Sequence, residues 1–344
     1  MKYKLLSVGS KLPASFLNIG DFIQAVASSQ FLPQIDGFID REQIKQYDGD
    51  DCKVIMNGWF MHFDEGWPPS RKIHPLFVAF HINSTATSWL LSSDSISYLK
   101  KYEPIGCRDM QTCALLKEKG IDAYFSGCMT LTLGCKYLSQ KKDNLIYIVD
   151  PYYKYSKSLF HAILNLFHII IYYKNVKSIA AKFDCCWWCN PKSFKRLFFT
   201  SYFYCQYRQL FAKDLLLNAI YVCQENDSYK SLKTDEKRFD IAQKLIENYS
   251  HARMVITSRI HCALPCLGLE TPVIFVENKE QSETSACRLS GLSELFNIIN
   301  SKNGHLTPTF KTTMPINSNT IIKNKQNWHT LSDKLILRCT DFFK

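Results

Sequence analysis

Short apolar runs alternate with amphipathic stretches along the first half of the chain. Residues 4–8 (KLLSV) read as a strand, and after a polar loop residues 22–29 have helical spacing. Residues 53–56 (KVIM) and 76–80 (LFVAF) are continuous apolar runs of strand length, the pattern of parallel strands buried on both faces. Residues 109–120 carry a helix pattern that Gly120 ends, and the next short strand is 123–125. A polar interruption at 141–144 precedes a new buried strand at 145–149 (LIYIV). Farther on, 217–224, 254–256 and 273–276 read as strands, and 236–249 and 261–269 as helices. Strands alternating with helices predict βαβ units and parallel sheets. The expected fold class is α/β, with two Rossmann-like, doubly wound parallel-sheet domains facing a cleft. Their expected extents are 1–142 and 143–320, with an aromatic and basic insertion at 152–211 and a last helix within 325–344.

Composition narrows the class. The chain has 344 residues, 46% apolar and 21% charged, which suits a two-domain globular protein and excludes a disordered or collagenous one. Lys and Arg outnumber Asp and Glu by 42 to 31, and an excess of +11 favours an anionic partner. Of fourteen Cys, several lie in apolar runs (Cys128, Cys135, Cys262, Cys266) and read as small buried hydrophobes of a reducing compartment. Cys186 and Cys189 form a Cys-x-x-Cys without the second pair that a zinc site needs. The first residues contain no real h-region, which argues against secretion. The longest apolar stretch, 159–173, is interrupted by His161, Asn165 and His168 and falls short of the ~20 residues of a spanning helix. The expected location is cytoplasmic, with peripheral contact to the inner face of a membrane.

The segment 253–276 is the most informative: strand, turn, helix, turn, strand. Thr257 and Ser258 suit helix capping. Arg259 and His261 then fall in the first helical turn at the carboxyl end of a strand, where free N–H groups and the helix dipole favour an anion. Arg259 is a planar donor for phosphate or carboxylate, and His261 can exchange a proton near neutral pH. The plainer alternative is an Arg259–carboxylate pair beside a core histidine. Pro265, inside the helix, cannot bond back to the His261 carbonyl. Gly106-Cys107-Arg108-Asp109 also follows a strand and opens a helix, which would aim Arg108 into the same cleft; a surface Arg108–Asp109 pair is the alternative. In Asn18-Ile19-Gly20-Asp21, Gly20 permits close backbone approach and Asp21 could cap the helix or hold a sugar hydroxyl. Asn57, with His62, Asp64 and Glu65 beyond it, would line the acceptor side of the cleft, although loop solvation explains these residues equally well.

Asn18–Asp21, Gly106–Asp109, Ser126–Leu133 and Thr257-Ser-Arg-Ile-His-Cys-Ala-Leu-Pro265 with Thr271-Pro-Val273, in this order, resemble the polysaccharide pyruvyl transferase family over about 1–135 and 215–285. The resemblance implies a fold like that of GT-B, two-domain glycosyltransferases. It implies phosphoenolpyruvate as donor and a cyclic pyruvate ketal on a glycan or lipid-linked saccharide as product. Arg259 and His261 match the family's donor-site Arg-x-His, with Ser258 beside them, and Arg108 matches its other anion-binding arginine. His261 is then the expected acid and the two arginines the expected phosphate ligands, while Asp21, Asn18, Gly20 and Asn57 are acceptor or loop residues. No cofactor or metal is expected, since arginines can neutralise the donor.

Two rivals remain at this stage: a nucleotide-sugar glycosyltransferase of the same architecture, and a noncatalytic, membrane-associated scaffold. Residues 192–211 interleave Lys and Arg with Phe and Tyr, which suits either a membrane surface or a helix packed on the second domain. No nucleic-acid module surrounds them, and no nucleic-acid partner is expected.

Overall fold

Two six-stranded sheets organise the chain in the computed structural model, which describes residues 1–8, 17–186, 188–282 and 287–344. The first contains β1 (Lys2–Ser7), β2 (Phe38–Asp40), β3 (Cys52–Phe60), β4 (Ile73–Ile82), β5 (Ile105–Cys107) and β6 (Ala123–Phe125). Its order is β2-β1-β3-β4-β5-β6, with every pairing parallel. The second contains β7 (Ile146–Val149), β8 (Ile220–Val222), β9 (Met254–Thr257), β10 (Val273–Asn278), β11 (Asn297–Lys302) and β12 (His305–Pro308), in the order β12-β11-β10-β9-β7-β8. These strands are parallel except for the antiparallel β11–β12 edge. The chain is therefore α/β, built as two Rossmann-like units. The KVIM and LFVAF runs lie inside β3 and β4, buried on both faces as their lack of alternation requires.

One strand boundary differs from the sequence expectation. Residues 217–224 do not form a single strand: helix Lys213–Asn218 takes the first part and β8 only Ile220–Val222. Leu215 and Leu216 are buried from that helix, and a short apolar run reads alike in either state. The sequence did not signal β2, β11 or β12. β11 mixes Asn, Ser and Lys with its two Ile, and its outer neighbour β12 is the sheet edge.

The insertion at 152–211 is helical: Leu159–Ile171, Tyr173–Ala180 and Phe194–Tyr207. The last of these buries Phe203, Tyr204 and Tyr207, and the Phe203 ring centre lies 4.7 Å from that of Phe183 and 4.4 Å from that of Tyr207, with the rings tilted by 34° in both pairs. For this helix, packing on the second unit is the correct reading.

The two units share one apolar core. Helix Ile19–Ser29 buries Phe22, Ile23 and Val26 in the same cluster as Ala242, Leu245 and Ile246 of helix Asp235–His251 and Ala263 and Leu264 of helix Ile260–Gly268. Helix His329–Phe343 then returns to the first unit. There Ser332 Oγ donates to the Leu131 carbonyl at 3.0 Å, Cys339 packs on Met129, and Lys53 Nζ donates to the Phe342 carbonyl at 2.7 Å. An open cavity of about 490 Å³ remains at the carboxyl ends of the second sheet, lined by Asn18 from the first unit and otherwise by the second.

Candidate functional site

β9 runs through Ser258 and Arg259 into helix Ile260–Gly268. Thr257 and Ser258 are not its caps. Arg259 holds that position in extended conformation, φ −100° and ψ 127°. The two hydroxyls fasten the turn instead: Thr257 Oγ1 accepts from Arg259 N at 3.0 Å, and Ser258 Oγ accepts from Tyr152 N at 2.7 Å. The Arg259 side chain, 37% exposed, lines the cavity together with Ser258, His261 and Asn18. The carbonyl that Pro265 leaves free on His261 has a partner, Gln224 Nε2 at 3.4 Å. Gln224 is fully buried; its own N–H donates to Asp150 Oδ2 at 3.0 Å and its carbonyl accepts from Ile19 N at 3.0 Å. This glutamine joins the second sheet, the Arg-x-His helix and the start of the first unit's helix.

The first unit holds the imidazole in place. Asn18, not Asp21, caps helix Ile19–Ser29, its Oδ1 accepting from Gly20 N at 2.8 Å. Asp21 is thereby free to reach His261: Oδ1 lies 3.2 Å from Nδ1, while Gln24 Nε2 lies 3.4 Å from Nε2. Gly20 makes this approach possible, because a Cβ there would stand 2.9 Å from His261 Cβ and 2.8 Å from Gln224 Oε1. Burial pushes the His261 pKa down to about 3; Asp21 opposes the shift, and the guanidinium groups of Arg108, Arg288 and Arg259 add to it. The imidazole is therefore neutral at pH 7 in this structure, with Nδ1–H donated to Asp21.

The three arginines differ in what holds them. Arg259 is paired, as the plainer alternative had it: Nε lies 3.4 Å from Asp150 Oδ2 and Nη2 lies 2.8 Å from Glu225 Oε1. Asp150 sits at the end of β7 in the left-handed region, φ +41°, a conformation that costs a non-glycine residue energy and recurs at functional sites. Arg288 also lines the cavity, and burial followed by repulsion from Arg108 holds its guanidinium below the ordinary value. Arg108 is fully buried and does not line the cavity. Its three guanidinium nitrogens have no hydrogen-bond partner among the described residues. The surface Arg108–Asp109 pair does not form. Asp109 is buried and caps helix Met110–Glu118, and its Oδ2 lies 2.5 Å from His81 Nδ1.

The structure thus brings Asn18, Gly20, Asp21, Ser258, Arg259 and His261 together, with Arg108 within electrostatic reach. Asn57 does not line the cavity: it is buried, and its Nδ2 donates at 3.3 Å to the backbone carbonyl of Gln24, whose side chain meets His261. His62, Asp64 and Glu65 do not line the cavity either. Sequence reasoning missed Asp150, Glu225, Gln224, Gln24 and Arg288. Asp150 was within reach of the strand-end rule, since it follows the LIYIV strand directly; a lone Arg288 in a polar stretch carried no signal. Among the described residues no three His, Cys, Asp or Glu side chains group to ligate a metal. Among the described residues no two cysteines form a disulfide, and Cys135, expected to be buried, is exposed.

Two buried histidines make this region acid-labile. Burial is the first cause that pushes His81 down to about 4 and His261 down to about 3, whereas an unfolded histidine titrates near ~6.5. Asp109 is also held below its ordinary value; burial alone would raise it, but the His81 hydrogen bond and charge outweigh that effect. Below pH ~6.5 the unfolded chain therefore binds protons that the folded chain refuses, so stability falls as pH falls toward the folded values. Urea midpoints should drop steeply between pH 7 and pH 4.5, and His261→Asn should flatten the slope. A flat wild-type profile would contradict the buried neutral state of both rings.

Comparison with curated proteins and with solved structures gives no match. The family model for polysaccharide pyruvyl transferases matches residues 18–280 of the 344-residue chain, a span running from the Asn18 cap through the Arg-x-His helix and β10. The chain belongs to the polysaccharide pyruvyl transferase family.

Proposed function

We propose that the chain transfers pyruvate from phosphoenolpyruvate to two hydroxyls of one sugar in a glycan acceptor, forming a cyclic ketal and releasing phosphate. The observation that supports this most is the convergence of three guanidinium groups, one from the first unit and two from the second, around His261 and its half-buried partner Asp21. A donor carrying a carboxylate and a phosphate on one carbon calls for several cations. An enol ether also needs protonation at its methylene carbon before its C2 is electrophilic. Of the cavity's side chains His261 is the one suited to supply that proton, and Asp21 orients its ring.

In this scheme His261 protonates C3, which becomes the methyl group, and C2 becomes an oxocarbenium. The first sugar hydroxyl attacks C2 and loses its proton. The C2–phosphate bond then breaks, the phosphate leaving with its electron pair toward the arginines. The second hydroxyl closes the ketal and loses its proton. Asp150 and Glu225, bound to Arg259, are the carboxylates placed to accept these protons when the guanidinium turns to the donor. Incubation with phosphoenolpyruvate and galactose- or mannose-type acceptors, read by mass spectrometry, should give product heavier by pyruvate less water, with phosphate released. Turnover with nucleotide sugars and none with phosphoenolpyruvate would assign the cavity to glycosyl transfer.

A further inference from the structure

Helix Leu159–Ile171 is turned inside out for a globular protein. Phe160, Ile163, Leu164, Phe167, Ile170 and Ile171 recur at three- and four-residue spacing, which marks one face of a helix. That face points to solvent: Phe160 is 66% exposed, Phe167 57%, Ile170 73% and Ile171 67%. The buried positions of this helix are Asn165 and Ile169. Asn165 is buried, with Nδ2 donating to the Phe198 carbonyl at 2.9 Å, and His161 and His168 line a second cavity of about 630 Å³ with Tyr172, Arg208 and His305. A helix of 13 residues spans ~20 Å, too short to cross a bilayer, and among the described residues no helix is long and apolar enough to do so.

We propose that this helix lies in the plane of an anionic lipid surface and seats the protein there. Charge selects this occupant. Residues 152–211 carry nine Lys and Arg against one acidic residue, Asp184, so most of the chain's +11 excess resides in the insertion. Lys157 precedes the helix and Lys174 and Lys177 follow it, all exposed. Apolar side chains entering the acyl boundary, flanked by cations at headgroup level, are the two components of interfacial binding. A second copy docked on the same face would bring like charges together. The insertion also supplies Tyr152, Tyr155 and Trp188 to the wall of the His261 cavity. Docking therefore carries that cavity to the lipid surface, where a lipid-borne saccharide would be presented; this corollary rests on the glycan-acceptor reading above.

The test is flotation of the full chain with phosphatidylcholine vesicles, with and without phosphatidylglycerol. The wild type should float with the anionic vesicles, and the bound fraction should fall as salt rises. The combined Phe160→Asp, Phe167→Asp, Ile171→Asp variant should lose about tenfold in bound fraction and keep its turnover on a soluble acceptor. A wild type that stays unbound with both vesicle types overturns the proposal. So does a wild-type dimer, seen by light scattering, that the triple variant converts to monomer without vesicle binding. Salt dependence is read on the wild type alone and needs no variant to fold. Failure to float leaves ketal formation on a soluble acceptor intact, and absence of ketal leaves flotation intact, so the two readings fail separately.

Discussion

An Arg108→Met chain is expected to be more stable than the wild type and to lose ketal formation. A buried guanidinium with no hydrogen-bond partner among the described residues forfeits its hydration, and its attraction to the nearby Asp109 carboxylate offsets only part of that loss. Replacing buried charges by apolar groups of similar volume is often stabilising, by ~1–4 kcal/mol. In the proposed donor site a bound anion compensates the buried charge of Arg108. Phosphate or phosphoenolpyruvate should therefore raise the wild-type melting temperature, by an amount corresponding to ~2.7 kcal/mol at a concentration of 100 Kd. The variant should respond far less. Thermal melts of both proteins with and without the anions decide the matter. A destabilised Arg108→Met chain would show that the guanidinium has a structural duty, and an equal response to ligand would remove it from the donor site.

His261→Ala is expected to lose ~10²-fold or more in turnover, the usual scale for a missing general acid, while donor binding persists through the arginines. The mechanism makes a second demand on the same residue. With its pKa pushed down to about 3 in this structure, the imidazole has no proton to give at neutral pH. Burial is the main cause that depresses the ring and the three guanidinium groups add to it, so on this mechanism the donor's carboxylate and phosphate must offset both to leave the imidazole protonated. Donor binding near pH 7 should then take up a proton. Calorimetry in buffers of different ionisation enthalpy should detect the uptake in the wild type and lose it in His261→Gln. Near-normal turnover by His261→Ala would remove the residue from the mechanism. Binding without proton uptake would leave some other group as the acid.

The parts of this architecture legible in the sequence are those with a local cause. The KVIM and LFVAF runs disclose doubly buried strands because neither alternates. The Arg259-Ile260-His261 turn is visible because a strand and a helix flank it, and the ends of parallel strands are where ligands bind. Asp21 could be named as a site residue, but its duty could not: whether it faces a sugar or His261 depends on how two units meet. The capping assignment failed for a related reason. Thr257 and Ser258 have the right chemistry, but their hydroxyls are claimed by other N–H groups: Thr257 Oγ1 accepts locally from Arg259 N, and Ser258 Oγ accepts from the distant Tyr152 N. The consequence of Pro265 was half legible: a carbonyl would lack its helical partner, but only the fold shows Gln224 supplying one. In 159–173 the sequence shows apolar content interrupted by His and Asn, and any soluble helix of that composition would be assigned apolar side inward. The structure reverses it, because the neighbouring helix meets Asn165.

The returning helix His329–Phe343 and the common core have a mechanical consequence. Two lobes clasped in this way cannot rock apart as jaws would, since a wide apolar junction resists relative motion. Admission of a substrate then becomes a matter of side chains at the rim. On the proposed reading Arg259 must swing off Glu225 to meet the donor, a side-chain motion that costs little time because both partners are about one third exposed.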